Sequence, residues 1–127
     1  ADALLELLPA FPEADVLVSS FNLRLLESLR LRDERLPLAL VTDTRFWRRL
    51  LKRAAALRAE SLHPRQELVS RSLVQACHRG GLCLYPWTVN FPERSLNLSR
   101  LGVDGVFSDD PRRLASALRG PGPGLKT

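Results

Sequence analysis

Isoleucine is absent from this 127-residue sequence, cysteine occurs only twice, and arginine greatly outnumbers lysine. Two cysteines cannot build a disulfide framework, and the spacing of Cys77 and Cys83 matches no zinc signature. They are expected to be small buried thiols in a reducing compartment. No apolar run approaches the ~20 residues that a membrane helix needs, and no signal-peptide pattern opens the chain. A cytoplasmic protein is therefore expected. The start at Ala1 rather than Met predicts trimming, or a piece of something longer. No G-x-G-x-x-G follows a strand-like run, which argues against a dinucleotide-binding unit.

What is present is the composition of one soluble, globular domain, 45% hydrophobic and 26% charged. A net charge of +5 and a pI near 10.2 raise the question of an anionic partner. The densest basic stretch is "TRFWRRLLKR". Arg45, Arg48, Arg49 and Lys52 share one helical stripe, and Trp47, Leu50, Leu51 and Ala54 share another. The stripes are offset by about 200° of helix. That pattern is an amphipathic helix with a solvated basic face. Without a Gly-rich loop or interleaved aromatics it does not predict a nucleic-acid partner.

Five short apolar runs alternate with helical patterns. "ADVLVSSF" precedes "NLRLLESLRLRDE", with Asn22 as N-cap. "LPLALVTD" precedes the Arg-rich helix, which Asp43 and Thr44 are expected to cap. "AESLHP" precedes "RQELVSRSLVQACHRGG", a helix with Leu68, Leu73, Val74 and Cys77 inward and Gly80-Gly81 as its stop. "LCLYPWTVN" should bend near Pro86 and leads into "FPERSLNLSRLG". "VDGVFSD" is the fifth run, and "DPRRLASALRG" opens with Pro111 near its first turn. Repeated strand and helix mean an α/β fold with a parallel sheet covered by helices. An open doubly wound sheet and an arc of a (β/α)₈ barrel both fit. In a barrel, Phe21, Asp43, His63, Trp87, Asn90 and Asp109 would ring the face where strands end.

"VLVSSF", "SLHP", "LYPWTVN" and "LGVDGVFSDDP" occur in the order and at about the separations found in glycerophosphodiester phosphodiesterases. From about Val16 to Leu114 the chain resembles the C-terminal part of that family's domain. The resemblance implies a partial TIM barrel of about five C-terminal βα units over residues 1–119, with 120–127 a flexible tail. It implies hydrolysis of a small-molecule glycerophosphodiester to glycerol 3-phosphate and an alcohol, in lipid or glycerol metabolism. It also implies a divalent metal, Mg or Ca, in the intact enzyme. The family's H-R-G, E-x-D, H-D and E-x-K elements would all lie upstream of Ala1. A fragment carrying only pocket walls should be inactive alone, should pair with the missing N-terminal barrel units, and should tend to self-associate. Two other readings remain: a related barrel phospholipase acting on choline lysolipids, and a non-enzymatic half-barrel binding module.

His78-Arg79-Gly80 repeats the family's H-R-G, but it follows a helix rather than a strand. His78 is expected near that helix's C-terminus on the stability face, with no catalytic role. Trp87 ends a strand at the mouth, and in the resembling family this Trp lines the substrate pocket. Its ring can shield substrate while the indole N–H donates one hydrogen bond. Phe21 is the matching apolar wall. No residue of this chain is expected to be catalytic or to bind metal. Asn90 and Asp109 are expected to hold loops, and Asp109 and Asp110 to cap the last helix. His63 is expected to make a structural hydrogen bond before Pro64. A metal site from Asp43, His63 and Asp109 is conceivable, but their spacing does not demand it.

Overall fold

The structure, a computed structural model, describes residues 17–119. The expectations for Val16 and for the 120–127 tail lie outside the described residues. Strand β1 (Val18–Ser20) leads into helix α1 (Leu23–Arg32), and β2 (Leu38–Thr42) into α2 (Trp47–Leu57). β3 (Ser61–Pro64) is followed by a 3₁₀ turn (Gln66–Leu68) and α3 (Arg71–Arg79). β4 (Cys83–Leu84) is followed by α4 (Pro92–Leu101), and α5 (Pro111–Arg119) ends the described chain. The strands form one parallel sheet in the order β1-β2-β3-β4, so every strand lies beside its predecessor.

The side chains decide between the two architectures. Leu38, Leu40, Leu62 and Leu84 share one core with Leu26 and Leu29 of α1. Ala54 and Leu57 of α2 and Leu73, Val74 and Cys77 of α3 join the same core. Three successive helices therefore cover one face of the sheet. A doubly wound sheet would place helices on both faces and reverse its strand order at a switch point. Neither feature is present among the described residues, and the fold is an arc of a (β/α)₈ barrel. Each fully buried leucine in this core contributes about 1.5–3 kcal/mol.

Alternation along the strands sends the intervening residues to the other face, toward the barrel axis. Register aligns Ser19, Ala39, Ser61 and Cys83 as one inward row of small side chains. Val41 and His63 belong to the next row.

Local chemistry explains the helix ends. Asn22 Oδ1 accepts the Leu25 N–H at 3.2 Å, the expected N-cap. Ser70 Oγ does the same for Leu73 at 3.1 Å. Gly102 closes α4 at φ 103°, where a side chain would be strained and its Cβ would lie 3.1 Å from Val74 Cγ1.

Three expectations need correction. The helix expected from Arg65 is broken: Gln66–Leu68 is 3₁₀, Leu68 is only half-buried, and α3 starts after Ser70. The Gln66 N–H bonds the Trp87 carbonyl at 2.8 Å, so this segment is held at the sheet edge and cannot join the helix. Asp43 and Thr44 do not cap α2, whose N-cap is Phe46 with no side-chain bond. Thr44 Oγ1 instead accepts the Phe46 N–H at 3.2 Å, which turns the corner one step earlier. The fifth run forms no regular strand. It touches the β4 segment through Asp104 N–H to Leu84 O (3.0 Å), Phe107 N–H to Pro86 O (2.9 Å) and Val89 N–H to Phe107 O (2.7 Å). Pro86 has no N–H to give, which limits the ladder there as expected.

Candidate functional site

The C-terminal ends of the strands make one rim, and two aromatic side chains meet across it. Phe21 directly follows β1 and Trp87 lies three residues beyond β4, paired with Arg65 in an isolated bridge, with β2 and β3 between the two. Their rings nonetheless stand edge to face, with centroids 6.1 Å apart and planes at 80°. Both positions fall on the inward phase of their strands, and inward side chains of a curved sheet converge. Phe21 is 60% exposed and Trp87 half-buried. Trp87 is thus neither a packed core residue nor a free one.

The indole N–H donates one hydrogen bond, and its acceptor lies inside the fold. It donates to the His63 carbonyl oxygen at 2.7 Å, so it is engaged inside the fold. What Trp87 offers outward is its ring. Backbone bonds reinforce the placement: the Trp87 N–H donates to Pro64 O at 3.0 Å, and Trp87 O accepts from Gln66.

Two residues that sequence reasoning missed hold this segment. Gln66 Nε2 donates to the Thr88 carbonyl at 2.6 Å, and its Oε1 accepts from Arg94 Nε at 2.9 Å. Arg94 Nη2 donates to the Gln66 carbonyl at 2.8 Å. Gln66, after β3, therefore bonds the Trp87–Thr88 segment directly, and Arg94 in the first turn of α4 braces Gln66. The only hint in sequence was a polar residue just past a strand end, a weak signal on its own.

His63 lies beneath the rim and is buried, 3% exposed. Its Nε2 pairs with Ser61 Oγ at 2.8 Å, and its ring stands edge-on to Tyr85 (5.7 Å) and Phe107 (4.8 Å). Desolvation holds its pKa below the ordinary histidine value, so the neutral ring is favoured. Tyr85 is shifted the other way: a hydrogen bond with Cys83, then the charge of that group and burial, push its phenol up. The structural role expected for His63 matches this environment, although the bond runs to Ser61.

Asn90 ties the far loop together. Its Oδ1 accepts from Ser108 Oγ (2.9 Å) and from the Asp109 N–H (2.9 Å), while its Nδ2 donates to Asp109 Oδ2 (3.0 Å). Asp110 Oδ1 accepts the Arg113 N–H at 3.1 Å and caps α5. Asp109 does not share that cap, because its carboxylate is turned to Asn90. His78 lies in the last turn of α3, at the opposite end of the strands, and bonds Asp104 Oδ2 at 2.8 Å. The same oxygen accepts the Leu84 N–H at 2.8 Å. Cys77, on the same helix, is buried in the core, and burial with the nearby Asp104 charge pushes its thiol up to about 12.

Asp43, His63 and Asp109 do not come together. Among the described residues no group of three or more His, Cys, Asp or Glu side chains is placed to hold a metal ion. Among them, too, no helix is long and apolar enough to cross a membrane.

Residues 3–113 match the Glycerophosphoryl diester phosphodiesterase family. A glycerophosphodiester phosphodiesterase of Caldanaerobacter subterraneus subsp. tengcongensis is 32% identical over 110 residues, 84% of this chain and 44% of that protein. The chain spans less than half the length of the curated relatives it matches. Among solved structures, a phosphodiesterase of Oleispira antarctica in complex with sn-glycerol-3-phosphate is similar at TM-score 0.80 and 26% identity. That match covers 92% of this chain and 48% of the other. A glycerophosphodiester phosphodiesterase of Thermotoga maritima shares the fold at TM-score 0.73 and 23% identity, over 91% of this chain and 52% of that one. With the one-sided winding of its βα units and a family match over most of its length, this chain belongs to the glycerophosphoryl diester phosphodiesterase family.

Proposed function

We propose that this chain is the C-terminal part of a glycerophosphodiester phosphodiesterase barrel and supplies one wall of its substrate pocket. The observation that carries the reading is the meeting of Phe21 and Trp87 at the rim, 6.1 Å apart across two intervening strands. An apolar corner at the mouth of a barrel suits the carbon portion of a glycerophosphodiester, either glycerol or alcohol. The bound sn-glycerol-3-phosphate of the Oleispira antarctica relative supports a ligand of this chemical class.

Hydrolysis forms a bond from water oxygen to phosphorus and breaks the bond from phosphorus to the alcohol oxygen. The departing oxygen takes a proton and the attacking water loses one. The groups that move those protons, and the carboxylates that hold a metal, are proposed to come from a part of the protein outside these 127 residues. His63 is enclosed by Tyr85 and Phe107, and His78 lies at the wrong end of the strands. The chain's own part is to orient substrate and exclude water. Trp87 presents its ring because its N–H is engaged, and Gln66, braced by Arg94, fixes the backbone that carries that ring.

Steady-state hydrolysis of glycerophosphocholine by the full-length protein tests this. Trp87→Ala and Phe21→Ala are expected to lower kcat/KM by about tenfold or more, as loss of an apolar pocket wall does. His78→Ala is expected to leave it unchanged. Full activity in both rim variants would remove the pocket-wall role.

A further inference from the structure

We propose that the corner between β2 and α2 docks this protein onto an anionic phospholipid surface. The corner runs Arg45-Phe46-Trp47-Arg48-Arg49 and frames a shallow recess of about 510 Å³. Phe46 is 70% exposed, a large apolar side chain facing outward on a loop. Arg45, Arg48, Arg49 and Lys52 are all exposed, and none has an acidic partner among the described residues. Four cations against the carboxylate of Asp43 leave the corner with a formal +3. The first turn of α2 carries no acidic residue and no side-chain cap, so the positive end of the helix adds to this field.

An exposed aromatic beside several arginines is the chemistry of an interfacial anchor. The ring enters the boundary between headgroups and acyl chains, and guanidinium groups pair with lipid phosphates. Other apolar rings lie on the same edge of the sheet: Phe21 after the neighbouring strand, and Phe91, 74% exposed, at the start of α4. A single-stranded nucleic acid fits the corner less well, because it needs free aromatic faces for stacking. Here Arg45 Cζ already lies 5.5 Å from the centre of the Phe46 ring, and Arg48 Cζ 4.6 Å from that of Trp47. A second copy of the chain would set one positive corner against another.

The inference does not depend on the catalytic reading, and its test separates the two. The full-length protein is sedimented with vesicles of phosphatidylcholine alone and of phosphatidylcholine mixed with phosphatidylglycerol. Binding to the mixed vesicles only, weakening as salt is added, is expected. The double variant Arg48→Glu/Arg49→Glu should lower partition by about tenfold or more, and Phe46→Ser should lower it while thermal melting stays unchanged. Hydrolysis of water-soluble glycerophosphocholine should be unaltered in both variants. Equal binding to both vesicle types, no binding to either, or unchanged partition of the double variant would overturn the proposal. So would loss of glycerophosphocholine hydrolysis with the corner variants, which would put these residues in the pocket. A gel shift with an RNA oligomer in the absence of vesicle binding, or a dimer that Phe46→Ser dissociates, would overturn it as well.

Discussion

The two ends of the parallel strands are held by different means. At the end where chains leave the helices and enter the strands, backbone carbonyls and amides are gathered by charged side chains. Arg30 donates from Nε to Leu57 O at 2.7 Å and from Nη1 to Asp33 O at 3.0 Å, closing the ends of α1 and α2 together. Asp104 takes the Leu84 N–H and His78 on one oxygen. At the opposite end aromatic rings meet one another, and the side-chain amide of Gln66 bonds the Thr88 carbonyl beside them. Both ends contain a histidine. His78 is exposed and paired with a carboxylate, whereas His63 is buried, bonded to a hydroxyl and enclosed by two rings. One end secures the fold, and the other presents apolar surface at a fixed position.

The sharpest way to break this division is Trp87→Ala, with the expected loss of about tenfold or more in kcat/KM. If stability fell steeply while kcat/KM held, the two ends would not differ in role. Next in size is Asp104→Ala, which removes the partner of both the Leu84 N–H and His78. Leaving a partly buried N–H unpaired is expected to cost about 1–3 kcal/mol. Urea unfolding should show that loss, while kcat/KM of the folded variant stays at the wild-type value.

A smaller effect concerns His63 and pH. Well above pH 6.5, the ordinary histidine value, His63 binds almost no proton in either state and contributes almost no slope. As pH falls below that value, the unfolded chain takes up a proton that the buried ring resists. Stability should therefore decline, and level off once pH passes below the lowered folded value. Melting temperatures at pH 7.5 and pH 5.5, taken as about two pH units spanning the titration, should fall less far apart in His63→Gln than in wild type. An identical drop in both proteins would place the proton elsewhere. The smallest change expected is at Arg58, a non-glycine residue at φ 53° closing α2. Arg58→Gly should raise stability by about 1 kcal/mol or less, with no effect on activity, since it belongs to the structural end. A lower melting temperature would mean that its side chain contributes more than its backbone costs.

Much of this arrangement was legible beforehand, and the gaps have physical causes. Asn22 and Gly102 could be read as helix boundaries because their chemistry acts on groups within four residues. The His78 tripeptide could be set aside because it follows a helix, which local periodicity reveals. The start of α3 was misplaced because Gln66 bonds Thr88 and Trp87, more than twenty positions away, and no local pattern reports such a bond. The corner before α2 was misread for a different reason. Asp43 is a good capping residue, but Thr44 turns the chain first.

By itself the sequence determined the alternation of strand and helix, the apolar stripe of each helix and the residues that end them. These follow from side-chain periods of two and 3.6 residues and from bonds between near neighbours. Only the tertiary structure decided that α1, α2 and α3 share one face of the sheet, which separates a barrel arc from a doubly wound sheet. Only it turned the Trp87 N–H inward to His63 and brought Phe21 against the Trp87 ring. Those outcomes depend on strand order and curvature, which join residues far apart in the chain and leave no mark on either one's neighbours.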